Sequence, residues 1–279
     1  MGDLVSELRS GRVLLMDGAM GTELQHHTES VHVECGEHCN LSQPEVVRSI
    51  HRAYVDAGAD VLLTNTFQAN PTALARRVRQ ESLHQVWHAA IELARAERPR
   101  FVLADVGPIE NCTWEIAASI MAECQDVDGL LLETWSSIDA LKRFADQRGS
   151  ASVPLLVSFT YHRTGDLTTF IGASPEECAG MANEYGAAAI GANCGKEIGM
   201  RDMFEIVKRY HEVCDLPVFV RPNAGSPAKV GLQYPRTPAA MASALTPLLE
   251  EGIAMIGGCC GTTPEHIRQF RWVLDDWQK

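Results

Sequence analysis

Short apolar runs recur along the chain, and each stops abruptly at a polar or glycine-bent turn. Val13-Leu14-Leu15-Met16 ends at Asp17-Gly18-Ala19-Met20-Gly21-Thr22, Asp60 to Thr64 ends at Asn65-Thr66-Phe67, and Phe101 to Asp105 ends at Gly107-Pro108. Gly129 to Leu132 ends at Glu133-Thr134, Pro154 to Val157 at Ser158-Phe159, and Ala187 to Gly191 at Asn193-Cys194. Pro217 to Val220 ends at Pro222-Asn223-Ala224-Gly225, and Ile253 to Ile256 at Gly257-Gly258-Cys259-Cys260-Gly261-Thr262-Thr263-Pro264. Runs that are apolar throughout, without polar alternation, predict strands buried on both faces, as in parallel sheets.

Helical periodicity fills the gaps between these runs. Ser42-Gln43-Pro44-Glu45 carries a capping-box pattern with proline in the first turn; Val46, Ile50, Ala53, Tyr54 and Ala57 follow at helical spacing, and Gly58 closes the helix. Residues from about Thr72 to Glu97 predict another helix, as do Trp114 to Cys124 and Ser137 to Asp146. Ser174-Pro175-Glu176-Glu177 opens a further helix with a second capping box, and the last begins near Pro264. Eight strand-helix units without a linker or composition break predict α/β architecture in a single (β/α)8 TIM-type barrel, one domain over residues 1–279. A doubly wound sheet is the competing architecture. The barrel is preferred because the polar oddities all fall at C-terminal strand ends, where barrels carry their active sites.

Composition narrows the partners. Hydrophobic residues are 46% of the 279, enough for a sizeable core, and the formal charge is −12. With no dense basic run, neither nucleic acid nor an anionic membrane surface is an expected partner. The N-terminus lacks a basic stretch followed by an apolar core, and no apolar run approaches the ~20 residues that span a bilayer. A cytoplasmic location is expected, and the nine cysteines are expected to be reduced.

Two adjacent cysteines among three glycines make poor packing material. Irregular glycine backbone is what would let Cys259 and Cys260 aim at one point, and two thiolates on one point suggest a metal. Zinc with protein ligands wants three or four, so at least one more sulfur or imidazole is required, with Cys194 the obvious candidate.

Taken together and in order, these strand-end motifs resemble the homocysteine S-methyltransferase family over nearly the whole chain. They look most similar to the homocysteine-binding barrel of cobalamin-dependent methionine synthase, since Pro222-Asn223-Ala224-Gly225 and Gly261 suit that branch. The resemblance implies methyl transfer to the thiol of homocysteine, giving methionine and placing the chain in methionine biosynthesis. It implies a catalytic zinc on Cys194, Cys259 and Cys260. It also implies that Asp17, Gly18 and Ala19, with Glu133, hold the amino-acid end of homocysteine. Asn193 is a further candidate beside the substrate. A thiol has a pKa of about 8.5 and reacts as the thiolate, so three protein sulfurs that leave zinc a fourth position explain how a substrate thiol is activated.

Three departures from the family pattern concern the methyl donor. The segment after Gly107-Pro108 is short, Arg221 precedes Pro222, and no folate, cobalamin or reactivation domain follows in this sequence. The expected donor is a methylated corrinoid such as methylcobalamin, free or on a separate protein. The alternatives are S-methylmethionine, S-adenosylmethionine, a related thiol or selenol acceptor, or a non-catalytic subunit that binds zinc or homocysteine. Arg221 is expected either to meet a corrinoid carboxamide or phosphate, or to form a salt bridge with a neighbouring acid.

Bland alternatives stand beside these assignments. Asp17 could simply cap its glycine loop. An acid that ends an apolar run, as Glu133 does, is costly to bury unless paired, and a substrate ammonium could be that partner. The segment from His32 to Cys39 mimics a zinc motif but lacks a second distant ligand pair; exposed histidines and ordinary cysteines are expected there. Asn65, Ser158, Asn193 and Asn223 could equally pin loops by side-chain hydrogen bonds. Trp114 and Trp135 are expected to pack in the core or rim.

Overall fold

The inside of the structure is lined by alternate residues of successive strands: Leu14 and Met16, Val61 and Leu63, Phe101 and Leu103, then Leu131, Leu156, Ala189, Phe219 and Met255 form one buried cluster. Their intervening neighbours, such as Leu15, Leu62, Val102, Leu130 and Val157, face outward into a second, larger core under the helices. That two-sided burial is why the strands read as unbroken apolar runs. The computed structural model describes residues 3–27, 36–75, 82–147, 153–226 and 234–279.

The strands are β1 (Leu14–Leu15), β2 (Val61–Leu63), β3 (Phe101–Val106), β4 (Gly129–Trp135), β5 (Leu155–Phe159), β6 (Tyr161–Thr164), β7 (Asp166–Thr169), β8 (Ala189–Asn193), β9 (Val218–Arg221) and β10 (Met255–Ile256). Eight of them form one sheet in the order β1-β10-β9-β8-β5-β4-β3-β2. Every pairing in it is parallel, and a parallel bridge between Met16 and Val61 joins the first strand to the last. The result is the expected (β/α)8 barrel. Leu4 and Leu8, on the short helix Leu4–Leu8, join the inner cluster from the N-terminal side. Burying two leucines there contributes about 1.5–3 kcal/mol each.

All eight predicted barrel strands are present, but three local expectations change. The capping box at Ser42 does not form: Ser42 ends a short helix, Cys39–Ser42, and its hydroxyl donates to the His38 carbonyl one turn back (3.2 Å). Helix Pro44–Asp56 starts from Gln43 without a side-chain cap, the fixed φ of Pro44 serving instead. The helix predicted from Thr72 to Glu97 is two helices, Pro71–Ala75 and Leu83–Ala96, and the second opens with its own capping box between Ser82 and Gln85. The box predicted at Ser174 does form. The hairpin β6–β7 was not foreseen, although Tyr161, Leu167 and Thr169 are buried and Gly165 turns at φ +108°. The hairpin is bonded to helix Met200–His211 by the Tyr161–Tyr210 hydroxyl pair (2.7 Å) and by Arg163 to Asp202 (2.9 Å).

His32 to Cys35 of the decoy segment lie outside the described residues. His38 is buried, not exposed as expected, Cys39 is buried beside it in sequence, and the Glu37 carboxylate accepts from the Gln68 N–H (2.7 Å). Trp135 is buried with its indole N–H on the Val106 carbonyl (2.9 Å), whereas Trp114 is 40% exposed. Among the described residues no helix is long and apolar enough to cross a membrane.

Candidate active site

At the C-terminal mouth of the barrel, β8 delivers Cys194 and β10 delivers Cys259 and Cys260. Among the described residues this is the one cluster of three or more His, Cys, Asp or Glu whose ligand atoms converge, all within 4.8 Å of one another. Cys259 and Cys260 Sγ are 4.0 Å apart. A tetrahedral zinc with Zn–S near 2.3 Å needs sulfurs roughly 3.8 Å apart, so the three residues fit that ion with little movement. Cys194 sits in the left-handed region at φ +56°, an uncommon conformation for a residue with a Cβ. Gly261, at φ +77°, ends the double-cysteine turn with the Tyr234 ring packed so close that an added Cβ would lie 2.0 Å from it.

Hydrogen bonds orient the sulfurs. Asn223 Nδ2 donates to Cys194 Sγ (3.4 Å), and Asn193 Nδ2 donates to Thr134 Oγ1 (2.7 Å) and to Cys259 Sγ (3.7 Å). The Thr134 N–H (3.0 Å) and Ser158 hydroxyl (2.6 Å) both donate to Asn193 Oδ1. Asn193 is thus spent on pinning β4, β5 and β8 together beside the sulfurs. Hydrogen bonds from Cys259, and then from Cys260, hold the Cys194 thiol far below its usual pKa, while sharing with Cys194 pushes the Cys259 thiol up.

Next to the sulfurs lies a buried charge cluster. Arg221 at the end of β9 donates through Nη1 to Glu133 Oε1, and through Nη2 to Asp17 Oδ1 (3.0 Å) and the Gly18 carbonyl (3.2 Å). All three side chains are almost fully buried. The salt-bridge expectation for Arg221 is thus the one met; a guanidinium at this depth does not face a bulky donor. The Leu63 N–H occupies the other Asp17 oxygen (2.8 Å). Asp17, expected to share a substrate ammonium, has both oxygens committed to the protein. Burial pushes Asp17 up to about 7 against the pull of Arg221, and burial likewise raises Glu133. Burial would lower the pKa of Arg221, but Glu133 and then Asp17 outweigh it and keep the guanidinium charged.

The Asp17 loop is tied to the cysteine turn. Ala19 N–H donates to Thr262 Oγ1 (3.2 Å), Thr262 Oγ1 donates to the Cys259 carbonyl (2.7 Å), and the Tyr54 hydroxyl donates to the Ala19 and Thr262 carbonyls (2.9 and 3.2 Å). Gly18 must be glycine here, since a Cβ would lie 2.7 Å from the Tyr54 ring. The Gly18 N–H meets no acceptor among the described residues.

Over residues 14–274 the sequence matches the homocysteine S-methyltransferase family profile. The chain belongs to that family. It is 33% identical to the methionine synthase of Mycobacterium tuberculosis and 31% to that of Mycobacterium leprae, in each case across 96% of this chain. It spans only about a quarter of the length of those relatives (25% and 24%). Its fold is that of the homocysteine methyltransferase MmuM from Escherichia coli in the metallated form, with a TM-score of 0.79, 24% identity, and coverage of 96% of this chain and 98% of that one.

Two mouth residues of this homocysteine S-methyltransferase family member escaped the sequence reading. Asp105, on the inward face of β3, is 5% exposed and raised well above an ordinary carboxyl, chiefly by burial and then by Glu133. The signal was available: Phe101, Leu103 and Asp105 share one face of a strand, so an inward apolar series ends on an acid. Tyr234 packs against Gly261 near Cys260; burial, and then the Cys260 sulfur, push its phenol up to about 12. It follows seven residues outside the described set, and no pattern pointed to it.

Proposed function

We propose that this barrel methylates the thiol of homocysteine to give methionine, with zinc held by Cys194, Cys259 and Cys260. The convergence of these three sulfurs beside buried Glu133 and Arg221 is the observation that carries it. Zinc on three thiolates supplies an open fourth position where an entering thiol loses its proton yet stays nucleophilic. The chain does the rest. Asn193 and Asn223 orient the sulfurs, and Thr262 and Tyr54 hold the Asp17 loop against the cysteine turn. The free Gly18 N–H is placed to receive the substrate carboxylate, and Asp17 serves by fixing Arg221 and that loop. Arg221 in turn holds Glu133 Oε1, leaving Glu133 Oε2 as an acceptor for the ammonium. As the new sulfur–carbon bond forms, the bond from the methyl group to its carrier breaks.

The proposed donor is a methylated corrinoid. The sequence motifs support it, as does the short β3–β4 connection, in which Ile109 and Cys112 turn into the core. Homocysteine methylation should be assayed with methylcobalamin, methyltetrahydrofolate, S-methylmethionine, S-adenosylmethionine and betaine. Methylcobalamin is expected to serve. Turnover with S-methylmethionine and none with methylcobalamin would overturn the donor; homocysteine binding without turnover on any donor would favour a non-catalytic subunit.

Glu133→Gln should weaken homocysteine binding by roughly tenfold to a hundredfold, the value of a charge-assisted hydrogen bond, with metal content unchanged. Titration calorimetry measures it. Unchanged affinity would reduce Glu133 to a partner of Arg221.

A further inference from the structure

Asp105 carries a buried carboxyl that the fold leaves unanswered. Its backbone is clamped: the N–H is shared between Thr64 Oγ1 (3.1 Å) and Thr66 Oγ1 (3.3 Å), and the carbonyl accepts from Thr66 Oγ1 (2.7 Å). The side chain continues the inward series of Phe101 and Leu103 to the level of the mouth. Yet its buried Oδ1 meets no donor among the described residues. The charges that act on it are Glu133, Arg221, Asp17 and Glu37. Arg221 is the cation of that set, and it gives its hydrogen bonds to Glu133, Asp17 and the Gly18 carbonyl, none to Asp105.

Buried acceptors are as a rule paired, so an orphan in a ligand mouth points to a donor that comes with the ligand. Asp105 and Glu133 Oε2 offer the open carboxylate oxygens of this cluster, because both Asp17 oxygens are taken. Two carboxyl groups are too few for calcium or magnesium, which want six or more ligands or a shell of water. A primary ammonium, with three N–H groups to direct at separate acceptors, suits them. We propose that Asp105, with Glu133, receives the α-ammonium of the amino-acid substrate and makes a free amino group a requirement for binding. This rests on homocysteine as the acceptor.

The test is titration calorimetry of the zinc-loaded protein with two thiols: homocysteine and γ-mercaptobutyrate, the same chain without its amino group. Asp105→Asn and Asp105→Ala should each weaken homocysteine by roughly tenfold or more, with less than about twofold change for γ-mercaptobutyrate and unchanged zinc content. Equal losses for both thiols would mark a structural role and overturn the proposal, as would no loss for homocysteine. Should the alanine variant fail to fold, the near-isosteric asparagine variant decides alone. A wild-type protein that binds neither thiol would instead overturn the homocysteine reading on which the proposal rests.

Discussion

Replacing Cys259 with alanine should strip the chain of metal and activity together, and Cys194→Ala and Cys260→Ala should do the same. Zinc binding to a complete protein site is worth on the order of 10 kcal/mol, and a three-sulfur site has no ligand to spare. Losing one of three should weaken binding by more than about a hundredfold, enough to empty the site on dialysis. Buried cysteines elsewhere supply the control. Cys178 is fully buried, its thiol pushed up to about 12 chiefly by burial, and it does not belong to the convergent cluster. Cys178→Ala should cost stability and keep the metal. Elemental analysis of the dialysed variants decides: full zinc in Cys259→Ala would end the assignment.

The barrel was legible because its signal is redundant. Each strand shows the same unbroken apolar run, each run stops at a polar mouth residue, and an error in one unit leaves the others standing. Helix starts depended on single residues and failed singly. Ser42 has the composition of a cap, but its hydroxyl found the His38 carbonyl first, and a local competition of that kind is invisible in a pattern.

The sulfur cluster was legible for a different reason: glycine-flanked adjacent cysteines have little use in packing. The charge cluster was legible only by halves. Glu133 stood out as an acid that needed a partner, and Arg221 as a cation in an odd place. That each answers the other across 88 residues of sequence is tertiary information. With Arg221 supplying one partner, Asp17 changed from a substrate ligand into a brace. Asp105 became the acid without a donor.

Arg221→Met should destabilise the protein by about 3–5 kcal/mol at pH 8, because it leaves buried carboxylates uncompensated. The loss should depend on pH in a defined direction. Asp17 sits at about 7 in the folded chain against an ordinary 3.8, so between those values the folded state holds more protons than the unfolded one and stability falls as pH rises. Removing the guanidinium removes the main opposing pull on both Asp17 and Glu133 and drives both higher still. The variant's deficit should therefore grow from pH 5 to pH 8 and be smallest at low pH, where both folded proteins hold these carboxyls protonated. Arg221→Lys retains a charge without the fork that reaches two acids at once, and should recover only part of the loss. Urea unfolding of the three proteins at pH 5 and pH 8 measures the difference. A deficit that is equal at both pH values, or larger at pH 5, would mean that Arg221 contributes by filling space and that its charge is not what holds Asp17 and Glu133 in the mouth.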